Sequence, residues 1–254
     1  MQIDKDTQIL IDERLKNNAP ALESFTPQEL RALRAKMAET PLELRVDISD
    51  VEDLSVKGTL GDIPIRKYFN SSTSDPKHKT SPLIIYFHGG GFVMGDLESH
   101  DLVCRHLCKE AKATIIAVDY KLAPEHKFPA PVIDTKDAIT KIFERAEEFN
   151  FDPNKVILCG DSAGGTLATV GTIMSRDNVI PKVHGQILVY PWVDMTMCRR
   201  SMDIDLEGMI LNKKTIKYFA DHYLNNTQEQ VDWRASPLLT ADLSNLPPTY
   251  IYGA

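Results

Sequence analysis

The sequence predicts a three-layer α/β fold around a mostly parallel sheet. Three observations carry the prediction: short apolar, β-branched runs recur along the chain, stretches of helical period separate them, and one run ends in a glycine-flanked serine. Residues 1–45 read first as two amphipathic helices. Ile9, Leu10 and Leu15 mark one; TPQELRALRAKMAE is the other, with Thr26 as cap, Pro27 at the first helical position and Glu29 as the capping-box acid. From Val46 the period shifts to two, so VEDLSVKG and IPIRKYFN are expected as strands about a Gly-Asp turn, followed by the polar loop NSSTSDPKHKTSP. Five further strands are expected in PLIIYFHGGG, ATIIAVDY, KVILCGDS, VHGQILVYPW and PPTYIYGA. The intervening helices fall at 97–111, 132–149 and 164–176. Between 193 and 235 the alternation lapses into an inserted segment whose helix, NKKTIKYFADHYL, carries Ile216, Phe219, Ala220, Tyr223 and Leu224 on one stripe. The organisation is thus a helical cap at 1–45, a core at 46–192, the insert at 193–235 and a return to the core at 236–254.

Composition narrows the function. The 254 residues include 29 Lys and Arg against 36 Asp and Glu, a net charge of −7 that speaks against a phosphate-backbone partner, so no nucleic acid is expected. Hydrophobic residues at 43% exclude a disordered chain. The charged start MQIDKDTQIL and the lack of a long apolar run lead to the expectation of a cytoplasmic protein with reduced thiols at Cys104, Cys108, Cys159 and Cys198. His100, Cys104 and Cys108 recur every four residues, but the same helix offers Val103, Leu107 and Ala111 as its core face, with the cysteines at the margin. With neither an HExxH nor a CxxC pattern, no metal and no cofactor are expected.

Gly160-Asp161-Ser162-Ala163-Gly164 joins the strand KVILC to a helix-compatible AGGTLATVGTIMS. In a strand–turn–helix setting this is the G-x-S-x-G arrangement, which lifts a serine above the carboxyl edge of a sheet. Glycines flank it because a Cβ two residues either side would collide with neighbouring backbone. The helix start aims N–H groups and its positive dipole end at the same place. A Walker loop does not fit, because Gly164-Gly165 is followed by Thr166-Leu167, and a dinucleotide loop does not, because GDSAGG lacks its first G-x-G. Upstream, His88-Gly89-Gly90-Gly91-Phe92 ends another strand, and the N–H groups of Gly90 and Gly91 with that of Ala163 form a candidate cradle for an oxyanion. His88, at the foot of that loop, is expected to orient it rather than act as a base, and Asp161 to hold the serine turn. Asp119 and Glu125 are expected to brace the LAPEH loop. Trp192 and Trp233 either line a pocket or fill the sheet-to-cap junction.

These motifs, with VDYKLAPEHKFPAPVID at 118–134, YPW and the insert ending in SPL, resemble the hormone-sensitive-lipase-like branch of the α/β-hydrolases, the bacterial family IV carboxylesterases. The resemblance spans nearly the whole chain, with Lys121 where that family usually has Arg. It implies an α/β-hydrolase three-layer sandwich under a helical cap, hydrolysis of small acyl esters through Ser162, and an oxyanion hole of Gly90, Gly91 and Ala163. It also implies an acid in a loop after TYIYGA and a histidine further on, in the order Ser, Asp or Glu, His. No such pair follows TYIYGA here. His184 falls near the amino end of a strand and His222 on the polar side of the cap helix, so neither is expected as the base. The expectation is a piece of a hydrolase of roughly 310 residues, judged by the units the pattern still requires, lacking the last strand and helix units. On its own this piece is expected to be inactive and aggregation-prone; a continuing chain or a separate polypeptide would complete it, and homodimerisation is common for this architecture. The contrasting reading is a non-catalytic ligand-binding protein on the same scaffold.

Overall fold

The computed structural model describes residues 3–37, 44, 46–70, 80–204 and 208–253. The expected boundary at residue 45 and the centre of the expected polar loop, 71–79, lie outside them. Among the described residues seven strands form one sheet: β1 (Asp50–Gly58), β2 (Gly61–Phe69), β3 (Ser81–Phe87), β4 (Thr114–Val118), β5 (Phe151–Asp161), β6 (Gly185–Val189) and β7 (Thr249–Tyr252). Their order is β1-β2-β4-β3-β5-β6-β7. β1 and β2 form an antiparallel hairpin, β2 runs antiparallel to β4, and every pairing from β4 to β7 is parallel.

Seven α-helices among the described residues accompany the sheet: α1 (Lys5–Lys16), α2 (Pro27–Met37), α3 (Asp101–Glu110), α4 (Ala130–Glu144), the single turn α5 (Ala146–Phe149), α6 (Ala163–Arg176) and α7 (Lys213–Tyr223). Among the described residues no helix is long and apolar enough to cross a membrane. Successive side chains of β3 point to opposite faces, and both faces are covered. Leu83, Ile85 and Phe87 join the main core with Ile139 of α4 and Leu167 of α6; Ile84 and Tyr86 join a smaller cluster with Cys104 and Cys108 of α3. The outermost strand is different: Tyr250, Ile251 and Tyr252 of β7 are each more than 60% exposed.

The capping box at α2 forms as the sequence predicts, with Thr26 N–H donating to Glu29 Oε2 at 2.8 Å and Glu29 N–H to Thr26 Oγ1 at 3.3 Å. Three expectations are corrected. Ile9, Leu10 and Leu15 do not face the core from α1; all three are exposed and Ile11 is the buried residue, because α1 packs on the chain at Gly208, where a Cβ would meet Ile11 and Leu15. The helix expected at 97–111 begins at Asp101, since Asp96 and Ser99 close a turn through reciprocal bonds, Ser99 N–H to Asp96 Oδ1 at 2.7 Å and Asp96 N–H to Ser99 Oγ at 3.0 Å. In α3 the core face is Cys104 and Cys108, both fully buried, with Leu107 partly buried against the same cluster, while Val103 is 44% exposed and Ala111 is exposed. The sheet already contributes the bulky Tyr68 and Tyr86 on that side, leaving space for small thiols rather than branched chains.

Candidate active site

The topology creates the site before any side chain is considered. From β3 the chain crosses to β4 on one side and then to β5 on the other, so the loops that follow β3 and β5 part at a switch point of the sheet. Phe87 pairs with Gly160 in register, so both loops leave at the same level. One carries Gly89-Gly90-Gly91, the other Ser162.

Ser162 has φ 50° and ψ −116°, a conformation that costs about 1–3 kcal/mol for a non-glycine residue and persists only where the surroundings hold it. Its N–H donates to the Val189 carbonyl at 2.9 Å, and its own carbonyl accepts from Trp192 N–H at 3.1 Å. A Cβ on Gly160 would run into Gly164 and, at 2.7 Å, the Phe87 carbonyl, which is the collision the flanking glycines avoid. Ser162 precedes the first residue of α6, so Ala163 N–H has no helical acceptor.

On the facing loop Gly90 adopts φ +123° and Gly91 φ +62°. The Gly90 carbonyl turns back to accept from Val93 N–H at 3.1 Å and Met94 N–H at 3.0 Å. Among the described residues the N–H groups of Gly90 and Gly91 have no protein acceptor. Both glycines line the same cavity as Ser162.

Asp161 ties the two loops together. Its Oδ1 accepts from Gly89 N–H at 2.9 Å and from Tyr86 O–H at 2.7 Å, with His100 Nε2 at 3.5 Å. Burial alone would push its carboxyl up, yet the bond and charge of His100 and the Tyr86 hydroxyl hold it below the usual range, so it stays ionised. His88 is 2% exposed, and its Nδ1–H donates to the Gly89 carbonyl at 2.8 Å. Burial and the neighbouring His100 push its pKa down to about 4. It stacks on Tyr120, whose hydroxyl donates to the His88 carbonyl at 2.6 Å, so the ring belongs to the loop's own scaffolding.

The LAPEH loop is braced differently from expectation. Glu125 takes part, pairing with Arg31 of α2 at 2.7 Å. Among the described residues the Asp119 side chain reaches only His88 Nε2, at 3.9 Å, and the bracing carboxylate is the fully buried Asp134, which accepts from Lys121 N–H at 2.9 Å. An aspartate within the apolar face of α4 was its one signal in the sequence. Lys121 Nζ lies 3.4 Å from the same carboxylate.

Above the loops sits the cap. Phe219 of α7 lies against Gly91, and Tyr223 stacks on Phe92 with centroids 3.9 Å apart. Arg31 joins α2 to the loop through the Val93 carbonyl at 2.7 Å and the Ala123 carbonyl at 2.6 Å. Between cap and loops lies a cavity of about 690 Å³, walled by Met94, Trp192, Ile216 and Phe219 among others. Trp192 therefore lines the pocket, whereas Trp233 packs on the core away from it. No side chain among the described residues hydrogen-bonds the Ser162 hydroxyl. His100 faces Asp161, His184 precedes the amino end of β6 at the far edge, and His222 donates from Nδ1 to the Tyr218 carbonyl at 2.8 Å.

Residues 84–254 match the family model of the alpha/beta hydrolase fold. The carboxylic ester hydrolase LipN of Mycobacterium tuberculosis is 40% identical over 208 residues, covering 80% of this chain and 54% of LipN, so the chain spans about half of that relative. An arylesterase of Saccharolobus solfataricus is 31% identical, covering 91% of this chain and 74% of that protein. Among solved structures, the hyperthermophilic esterase of the archaeon Pyrobaculum calidifontis superposes with TM-score 0.86 at 33% identity, covering 99% of this chain and 79% of its own. An ester-hydrolase from the metagenome of Lake Arreo, solved with a derivative of bipyridine phosphonate, superposes with TM-score 0.87 at 32% identity, covering 98% and 79%. With two glycine-bearing loops at the switch point of a parallel sheet and relatives of this kind along most of its length, the chain belongs to the α/β-hydrolases, in the company of carboxylesterases.

Proposed function

We propose that the protein hydrolyses small carboxylic esters through a covalent acyl-serine at Ser162, with the N–H groups of Gly90, Gly91 and Ala163 as its oxyanion hole. The carrying observation is the juxtaposition of a serine in strained backbone with main-chain donors that have no acceptor among the described residues, all beneath an apolar cap. Ser162 Oγ adds to the ester carbonyl carbon while a base takes its proton. The carbonyl oxygen becomes an oxyanion held by the three amides, the C–O bond to the alcohol breaks, and the alcohol leaves with the proton. Water then repeats the sequence on the acyl-enzyme, releasing the carboxylic acid and restoring the hydroxyl. One amide donor of this kind contributes about 3 kcal/mol to the barrier difference.

The base and the acid that aligns it are proposed to lie outside residues 1–254, on continuing chain or on a separate polypeptide. The engagement of His88, His100 and His222 with other groups supports this, as does the greater length of the relatives. The test is the pre-steady-state release of p-nitrophenol from p-nitrophenyl butyrate by the protein with its completing segment. A burst stoichiometric with protein, abolished in Ser162→Ala, is expected; turnover that survives the substitution refutes the assignment. Binding of a small carboxylate with no burst and no phosphonate labelling would favour a non-catalytic binding protein instead.

A further inference from the structure

The cavity in front of Ser162 is not uniformly apolar. Its described lining contains no Asp or Glu but includes two cations from the cap helices, Arg14 of α1 and Arg34 of α2. Most other described guanidinium groups are paired: Arg31, Arg66, Arg105, Arg145, Arg176, Arg199 and Arg234 each meet a carboxylate, and the exposed Arg200 does not. Arg14 instead donates to two neutral carbonyls, Gly208 at 3.2 Å and Pro20 at 3.4 Å. Arg34, half-buried, makes no hydrogen bond or ion pair with any described residue. In a protein of net charge −7, Arg34 faces this apolar cavity with no carboxylate partner among the described residues, and Arg14, which also borders a neighbouring cleft with Glu23, reaches it from the other cap helix. A half-buried cation in a cavity whose lining includes Leu10 and Ile210 is stabilised when an anion enters.

We propose that this cavity selects esters bearing a carboxylate remote from the scissile bond, half-esters of dicarboxylic acids, with Arg34 as the principal determinant and Arg14 in support. The proposal rests on Ser162 being the nucleophile. The sheet side of the cavity then holds the reacting carbonyl at Ser162 and the glycine amides, while the cap side holds the anion. A planar guanidinium meets a carboxylate with two parallel N–H donors, which fixes direction as well as charge. The apolar walls around it weaken the screening that would blunt such a pair in open solvent.

Mono-p-nitrophenyl adipate and p-nitrophenyl hexanoate share chain length and leaving group and differ in the terminal carboxylate, which is ionised at pH 7.5. The protein with its completing segment is expected to show at least fivefold higher kcat/KM for the adipate, narrowing in 0.5 M NaCl. The ratio of the two values should fall at least fivefold in Arg34→Gln, through KM for the adipate, with part retained in Arg34→Lys. A second readout needs no turnover: in the Ser162→Ala protein, monoethyl adipate should bind more tightly than diethyl adipate by titration calorimetry. That preference should be lost on adding Arg34→Gln. No preference in the parent protein, or a ratio that Arg34→Gln leaves unaltered, overturns the proposal. Loss of Ser162 that spares turnover of both esters refutes the nucleophile reading instead, and the calorimetric arm separates the two failures.

Discussion

Removing the Asp161 carboxylate should loosen the serine turn from the glycine loop, and the cost follows from the contacts it makes. The side chain is 15% exposed and accepts from Gly89 N–H at 2.9 Å and Tyr86 O–H at 2.7 Å. Asp161→Ala leaves both donors in a poorly solvated place, at about 1–3 kcal/mol each, so a loss of about 2–5 kcal/mol is expected. At about 2–4 °C per kcal/mol for a chain of this size, the melting temperature should fall by about 5–15 °C. Asp161→Asn keeps an acceptor oxygen and gives up the charge, so about half of that loss is expected. The catalytic consequence separates positioning from mere stability. With Gly89 released, the adjoining Gly90 and Gly91 amides lose their aim, and kcat for p-nitrophenyl butyrate should drop about 10–100-fold, a fraction of what deleting whole donors costs. KM should stay within about threefold, since uniform binding is not what is lost. Stopped-flow kinetics well below the lowered melting temperature, beside thermal unfolding by circular dichroism, provide both numbers. Unaltered kcat in a properly folded Asp161→Ala protein would refute the coupling between the loops.

Three further outcomes follow from the same geometry. Burial, aided by Asp96, pushes the Asp119 carboxyl up to about 6, so the folded protein holds that proton where the unfolded chain, near 3.8, has released it; stability is therefore lost as pH rises from about 4 to 6. Its side chain is a third exposed, so the penalty after solvent screening is about 1–2 kcal/mol, and Asp119→Asn should melt higher at pH 8 with the advantage gone at pH 4, as paired thermal melts would show. Gly90→Ala places a Cβ on the Met94 carbonyl at φ +123°, and at least a 100-fold loss of kcat is expected in steady-state assays of the soluble variant. Arg31→Ala removes the bonds to Val93 and Ala123 and the Glu125 pair, so limited proteolysis within α2 should accelerate about tenfold, the equivalent of 1–2 kcal/mol of local stability.

What the sequence disclosed and what it withheld divide along physical lines. Gly160, Gly164 and the triple glycine were legible because their reasons are local: a turn that excludes Cβ atoms constrains residue type at fixed spacing. The strands were legible because burial on both faces leaves a continuous apolar run, as in β3. The packing of α1 was not, since a short helix with apolar residues on more than one side is oriented by what it meets, here the distant Gly208. The inward face of α3 depended on the size of Tyr68 and Tyr86 across the layer, which no periodicity within the helix reports. The sequence offers Asp119 and Glu125 as braces of the LAPEH loop; Glu125 pairs with Arg31, whereas Asp134, one element later, makes the bonds expected of Asp119. Arg31 and Glu125 are 94 residues apart, and only the fold brings them together.

The central claim is that one hydroxyl, at Ser162, is the nucleophile. Treating the completed protein with a fluorophosphonate and measuring its intact mass tests it most directly. A single phosphonyl adduct that maps to the peptide containing Ser162, absent in Ser162→Ala, is the predicted result. An adduct on another residue, or equal labelling of the alanine variant, would contradict the account.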